Sequence, residues 1–305
     1  MDLKVLMGIN MTKILVFGAT SNVGYRFIRN YSNKYDLTAV SRSHLDGLDS
    51  KVVVEKHINK EFIKAQLEEL SPDFVINCIA HGNVDYCEKN KSEAKRVNYD
   101  LVVDLVDAVN LYPDAKLIHF SSNAVYGGSN APYDEESKAD PINYYGKTKN
   151  NADNYIKLNS HKYAILRPIT LYGQKEEFQR NNPINWIIQE LSIGNILHLV
   201  DDVFSNMLYI DDAIIALNRS VELNSEGSFN LSSYKTYSMY EIGLIVANIM
   251  MIDSSLVIGV NSSYFKGMAP RPKNTSFNNS KATESLGVDF TEIEDGIRLM
   301  LNKSK

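Results

Sequence analysis

Residues 13–24 read Lys-Ile-Leu-Val-Phe-Gly-Ala-Thr-Ser-Asn-Val-Gly, and no other stretch restricts the fold as tightly. Ile14 to Phe17 run apolar without polar alternation, as in a strand buried on both faces of a parallel sheet. A turn with glycine at 18 and 24 follows, and helical spacing then extends from Val23 to about Tyr31. Such a turn offers backbone N–H groups and a helix amino end to a pyrophosphate. The spacing is that of Gly-x-x-Gly-x-x-Gly with Ser21 in the middle place; serine is small, and its hydroxyl can donate to phosphate. From the residues alone two readings stand. Either the turn binds a dinucleotide through Gly18, Ser21, Asn22, Val23 and Gly24, or it is a ligand-free strand-to-helix connection.

Strand and helix keep alternating to about residue 170. Further apolar strands are expected at 37–40, 74–80, 116–121 and 163–167. Helices are expected at 61–70, where Ser71-Pro72-Asp73 ends the pattern, at 92–112 and at 144–158. The pattern predicts an α/β fold: a doubly wound parallel, Rossmann-type sheet with right-handed crossovers. Beyond Tyr172 the alternation loosens, with helices expected near 184–192, 211–222, 239–251 and 292–302. The division expected is a dinucleotide-binding domain over 1–170 and mainly a smaller substrate-binding lobe over 171–305, some of whose segments return to the first domain. Residues 1–10, before a second start-like Met11-Thr12-Lys13, read as a loose extension.

Composition excludes several classes. Lys and Arg number 32 against 37 Asp and Glu, a net charge of −5 with no basic cluster, so nucleic acid and anionic lipid have no electrostatic claim on the surface. Cys78 and Cys87 cannot alone form a zinc site, and no histidine pair has metal-ligand spacing, so no metal is expected. No apolar run approaches the ~20 residues of a membrane helix, and the amino terminus lacks a secretory apolar core. The expectation is a soluble cytoplasmic protein with no membrane partner.

Three further motifs fall at predicted strand ends, where ligands of such sheets bind. After the second strand, Ser41 and Arg42 stand where an NAD-binding unit usually carries a carboxylate; hydroxyl and guanidinium suit a 2′-phosphate, favouring NADP(H) while leaving NAD(H) open. Ser121 and Ser122 end the 116–121 strand, placing a hydroxyl where it could hold a reacting oxygen. Tyr145 and Lys149 are four apart on a predicted helix and share a face. A nearby ammonium would lower the phenol from its usual ~10 and make it a usable proton donor or acceptor. A second Tyr-x-x-x-Lys, Tyr112 to Lys116, contains Pro113 and cannot present one helical face. Asp211-Asp212 read as a helix start, Cys87 as packing and Trp186 as core. His81 reads equally as a substrate contact or a locally satisfied histidine.

The set resembles the extended short-chain dehydrogenase/reductase family over essentially the whole chain, and within it the dTDP-4-dehydrorhamnose reductase branch. The residues that carry the likeness are Val84-Asp85-Tyr86-Cys87-Glu88, Ser121 to Gly128 with Pro132-Tyr133-Asp134-Glu135, Pro141 to Lys149, and Arg271-Pro272-Lys273-Asn274-Thr275-Ser276. The resemblance implies Ser122, Tyr145 and Lys149 as the catalytic set, and Gly18, Ser21 and Gly24 as the pyrophosphate turn. It implies Ala80, Asn98, Pro168 and Ile169 beside the cofactor. Substrate would meet Ser122, Asn123, Tyr145 and Arg271, the last gripping a phosphate bidentately. Thr170 stands where that branch generally has tryptophan.

The implied activity is NADP-preferring reduction of a 4-keto nucleotide sugar, in a chain that pairs as a homodimer. A 4,6-dehydratase would need Asp-Glu where Asn123-Ala124 stand. An NAD-dependent 4-epimerase and a non-catalytic NADP-binding regulatory subunit are the alternatives.

Overall fold

The computed structural model describes residues 11–45 and 47–302, so the extension expected over 1–10 lies outside the described residues. Seven parallel strands form the main sheet: β1 (Lys13–Phe17), β2 (Asp36–Ser41), β3 (Lys51–Val54), β4 (Phe74–Asn77), β5 (Lys116–Phe120), β6 (Tyr163–Pro168) and the strand Gly227–Leu231. Their order is Gly227–Leu231, β6, β5, β4, β1, β2, β3. Chain order therefore runs outward in both directions from β1 and β4, and a crevice opens at their carboxyl ends.

The unalternated apolar strands are buried on both faces. Ile14 and Val16 pack with Phe27 and Ile28 of α1 (Asn22–Tyr31) and with Ala213 and Leu217 of the helix Ile210–Glu222. Leu15 and Phe17 point the other way. They join Val75, Leu117 and Ile165 beneath Ile63 of α2 (Lys60–Leu70), Leu105 of α5 (Leu101–Val109) and Ile156 of α6 (Tyr144–Asn159). A separate cluster of Ile184, Ile187, Leu199, Ile242, Val246 and Ile297 forms a smaller core from the second half of the chain.

Several expectations shift in detail. The 74–80 strand stops at Asn77 because the Asn77 side chain takes over the backbone's role, its Oδ1 accepting the Ile79 N–H at 3.0 Å. The edge strand β3, built on Val52 to Val54 and half exposed, adds to the expected strands. A short helix, α3 (Val84–Lys89), precedes the expected long one, which is α4 (Lys91–Lys95), a widened π-turn (Arg96–Asp100) and α5 in succession. Trp186 is not core: the helix Pro183–Ser192 buries Ile184, Ile187 and Leu191 and leaves the indole 41% exposed. The strand Gly227–Leu231 carries the chain's second half back into the main sheet beside β6. Among the described residues no helix is long and apolar enough to cross a membrane, and no cluster of His, Cys, Asp or Glu could hold a metal.

One buried ion pair ties α6 to β6. Arg167 Nε donates to Asp153 Oδ2 at 2.8 Å, and Arg167 also donates to the Tyr126 hydroxyl at 3.1 Å. Removing one member of such a pair strands a charge away from water. Asp153→Ala should cost about 3–5 kcal/mol in urea unfolding; a change under about 1 kcal/mol would show the pair to be dispensable.

Candidate active site

Backbone crowding shapes the crevice first. Gly18 has φ +87°, and a Cβ on it would lie 2.8 Å from the Cys78 carbonyl carbon, so the chain leaving β1 crosses the end of β4 with no room for a side chain. A Cβ on Gly24 would lie 2.5 Å from the Gly18 carbonyl oxygen, which seats α1 directly on the turn. Ser21 accounts for the departure from a third glycine: it is the cap of α1, its Oγ accepting the Gly24 N–H at 2.9 Å. Its hydroxyl also meets the Cys78 thiol. The N–H groups of Asn22 and Val23 have no protein partner among the described residues. A capped helix end with open donors suits a pyrophosphate.

A loop unmarked by any sequence motif borders this turn. Gln179 Nε2 donates to the Ser21 carbonyl at 3.3 Å, and Phe178 meets the Tyr25 ring edge-on at 5.2 Å between centroids. Arg26 donates to Gln174 O and to Asp211 Oδ1, both at 2.7 Å, while Arg29 pairs with Glu176 at 2.6 Å. At the end of β2, Ser41 is buried and its hydroxyl donates to the Ser43 carbonyl at 2.7 Å. Ser41 therefore shapes the turn that leaves Arg42 exposed at the rim.

Asn98, on the widened π-turn, joins the segment after β4 to α6. Its Oδ1 accepts the His81 N–H at 2.7 Å, and its Nδ2 lies 3.2 Å from both His81 O and Thr148 Oγ1. These partners make it a strut between Ala80-His81 and α6. The His81 ring is locally satisfied, 3.1 Å from Glu93 Oε1. Cys87 is buried in α3, and burial pushes its thiol up, which suits packing.

The catalytic candidates converge where α6 meets the end of β5. Asn143 caps α6 by accepting the Gly146 N–H at 2.8 Å. A Cβ on Gly146 would fall 2.0 Å from the Ala124 carbonyl oxygen, so only glycine lets the helix start settle against the turn that Ser122 begins. Ser122 Oγ accepts the Ala124 N–H at 3.2 Å and donates to Asn123 Oδ1 at 3.2 Å, while Asn123 Nδ2 donates to Thr275 Oγ1 at 2.8 Å. Burial pushes the Tyr145 phenol above its usual 10, and a hydrogen bond with Ser122 acts against it.

Lys149 corrects one expectation. Its amine turns toward β5, donating to Phe120 O at 2.6 Å and lying 3.1 Å from His119 Nε2. Burial lowers it to about 8, with Asp153 and Cys78 pulling it back up. Lys149 is not among the groups that shift Tyr145, so burial, not a neighbouring ammonium, sets the phenol. Lys116 of the second Tyr-x-x-x-Lys binds the Asn224 carbonyl at 2.7 Å, on the other side of the sheet's length. Ser121 Oγ is buried at the end of β5 without a protein partner, and Ile169 follows β6, bonded to Leu231 O at 3.0 Å.

Arg271, the expected phosphate grip, is paired within the chain. It donates to Asp85 Oδ2 at 2.8 Å and to Ala269 O at 2.9 Å. Burial works against the Asp85 carboxylate, but the Ala269 N–H and the guanidinium outweigh it and hold Asp85 below the usual range. A phosphate grip by Arg271 would first have to break that pair.

Residues 11–305 match a family described as RmlD substrate binding domain. Among curated relatives, dTDP-4-dehydrorhamnose reductase of Salmonella typhimurium is 25% identical, over 95% of this chain and 97% of its own. Methionine adenosyltransferase 2 subunit beta of Mus musculus is 24% identical, over 94% of this chain and 86% of its own. A crystal structure of dTDP-4-dehydrorhamnose reductase from Bacillus anthracis in complex with NADP superposes with a TM-score of 0.85 at 22% identity, covering 96% of this chain and all of that one (100%). UDP-glucose 4-epimerase from Thermotoga maritima, with UDP-glucose, gives 0.81 at 18% identity over 95% of this chain and 98% of its own. The superpositions show a shared fold.

The tight seat of α6 yields a prediction. Gly146→Ala forces the helix start away from Ala124, costing about 1–3 kcal/mol as other overpacking changes do. Turnover in a matched assay should fall at least tenfold, because Tyr145 moves with the helix. Unchanged melting temperature and turnover would show that the contact does not fix the site.

Proposed function

Because the chain belongs to the family of the RmlD substrate binding domain, we propose that it is an NADP-preferring oxidoreductase that reduces a 4-keto nucleotide sugar. One observation carries the reading: Ser122, Tyr145 and Lys149 gather at the end of β5, in the same sheet edge as the glycine turn capped by Ser21. The likeness to reductases that span nearly the whole chain supports it.

The donor set fits a dinucleotide. The open N–H groups of the turn would take the pyrophosphate, Arg42 a 2′-phosphate, and Lys149 the nicotinamide ribose. The bound nicotinamide supplies hydride to the carbonyl carbon. Ser122 orients the carbonyl oxygen, and Tyr145 delivers a proton to it. Burial alone works against that task, since a phenol pushed above 10 is a weaker acid than usual, and the hydrogen bond with Ser122 opposes the shift. Lys149, lowered to about 8, holds a proton it can release to restore Tyr145.

A second reading, a non-catalytic dinucleotide-binding subunit, draws on the likeness to methionine adenosyltransferase 2 subunit beta. The complete Ser122-Tyr145-Lys149 set supports the enzyme over it. A 4-epimerase would need little beyond the same three residues and a retained NAD.

Mass spectrometry of products from a panel of 4-keto nucleotide sugars with NADPH separates reductase from subunit, a gain of two hydrogens against no change, while chromatography of 4-hydroxy nucleotide sugars incubated with NAD resolves the C4 isomer that an epimerase would form. Tyr145→Phe should cut turnover by roughly 10²–10⁴ with the fold intact; near-normal turnover would remove the phenol from its role. Arg42→Ala should weaken NADPH binding about tenfold, equivalent to one lost charge-assisted bond, and leave NADH binding unchanged. Equal loss for both coenzymes would place Arg42 elsewhere.

A further inference from the structure

His119 is fully buried in the middle of the sheet, at the end of β5, and the mechanism above leaves it unused. It sits between two polar groups. Asn77, its register partner on β4, places Nδ2 3.1 Å from His119 Nδ1, and Lys149 Nζ lies 3.1 Å from His119 Nε2. The orientation of the Asn77 amide is fixed independently, because its Oδ1 accepts the Ile79 backbone N–H at 3.0 Å. A flipped amide would set N–H against N–H.

The proton count along this chain follows. Asn77 Nδ2 can only donate, so His119 Nδ1 must accept. A neutral imidazole that accepts at Nδ1 carries its hydrogen on Nε2, aimed at the Lys149 amine. An ammonium at Lys149 has no lone pair and meets that N–H head on. The neutral amine accepts it and still donates to the Phe120 carbonyl at 2.6 Å. The imidazolium is no escape, since it would place a second donor against Asn77 and a second charge beside Lys149.

We propose that Asn77 and His119 form a tautomer lock on Lys149, which favours the neutral amine and so sets the pH at which Lys149 yields its proton. His119 is thus a positioning residue acting through Lys149. The other groups around the amine are Asp153, one turn along α6 and already paired with Arg167, and Cys78 after β4; both favour the ammonium and so oppose the lock. Burial holds His119 itself well below its usual 6.5, in keeping with a neutral ring.

The use of the lock in proton supply rests on the reductase reading, but the test does not. Nitrogen-15 spectra of histidine-labelled, ligand-free protein, assigned with His119→Gln, should show His119 neutral across pH 6–9 with its hydrogen on Nε2. A hydrogen on Nδ1, or a doubly protonated ring, would overturn the proposal in the native protein, whatever the variants do. Asn77→Asp keeps the shape but accepts at Nδ1, and should move the hydrogen to that nitrogen. In carbon-13 lysine spectra, the Lys149 midpoint should rise by about one pH unit or more in His119→Gln, a tenfold gain in proton affinity. An unmoved midpoint would also overturn the lock. If the protein proves to be a reductase, the alkaline limb of kcat/KM should move upward with that midpoint; a failure of catalysis alone would leave the spectra to decide.

Discussion

The crossing of the chain at Gly18 over the end of β4 governs this molecule. A side chain at that point would collide with the Cys78 carbonyl carbon, and the carboxyl ends of β1 and β4 could not then stand side by side. Their adjacency is where the strand order reverses, so it is also where the sheet opens a crevice. From it follow the seat of α1 on Gly18, its capping by Ser21, and the direction in which its open N–H groups point. A single steric condition therefore creates both the space for a ligand and the electrostatics that would receive an anion there.

The other wall of the crevice depends on close approach of a different kind. Gly146 lets the start of α6 rest on the Ala124 carbonyl, and Asn98 links the segment after β4 to Thr148 in the same first turns of α6. Three chain segments distant in sequence are thereby held to one geometry by one glycine and one amide. The π-turn at Arg96–Asp100 belongs to the same arrangement, since the extra residue in that turn is where Asn98 sits. Turns of this kind interrupt otherwise regular helices and gather at functional sites.

Much of this was legible in the sequence. The double burial of β1, the alternation to residue 170 and the place of Ser122, Tyr145 and Lys149 at a strand end all follow from pattern and spacing. What escaped depends on side chains meeting across space. Arg271 looked like an open cation because its motif says nothing of Asp85, 186 residues away, which neutralises it. Lys149 looked like a neighbour of Tyr145 because helical spacing puts them on one face, yet the long lysine stem carries the amine to β5. Trp186 reads as core because it lies in an apolar helical pattern, and only the packing tells which side is covered. The loop over the glycine turn had no composition to mark it. His119 was passed over as one more residue of a buried strand.

Tyr145 and Lys149, both on α6, are displaced in opposite senses by the same cause. Desolvation penalises whichever form is charged, so it raises the phenol of Tyr145 and lowers the amine of Lys149. The phenol becomes a weaker acid and the amine a weaker base, so both neutral forms gain, each through its own burial and not through contact with the other. A nearby permanent cation would have produced the reverse, a phenolate poised to accept. The same Tyr-x-x-x-Lys spacing can thus carry either state, and dielectric environment rather than residue identity decides between them.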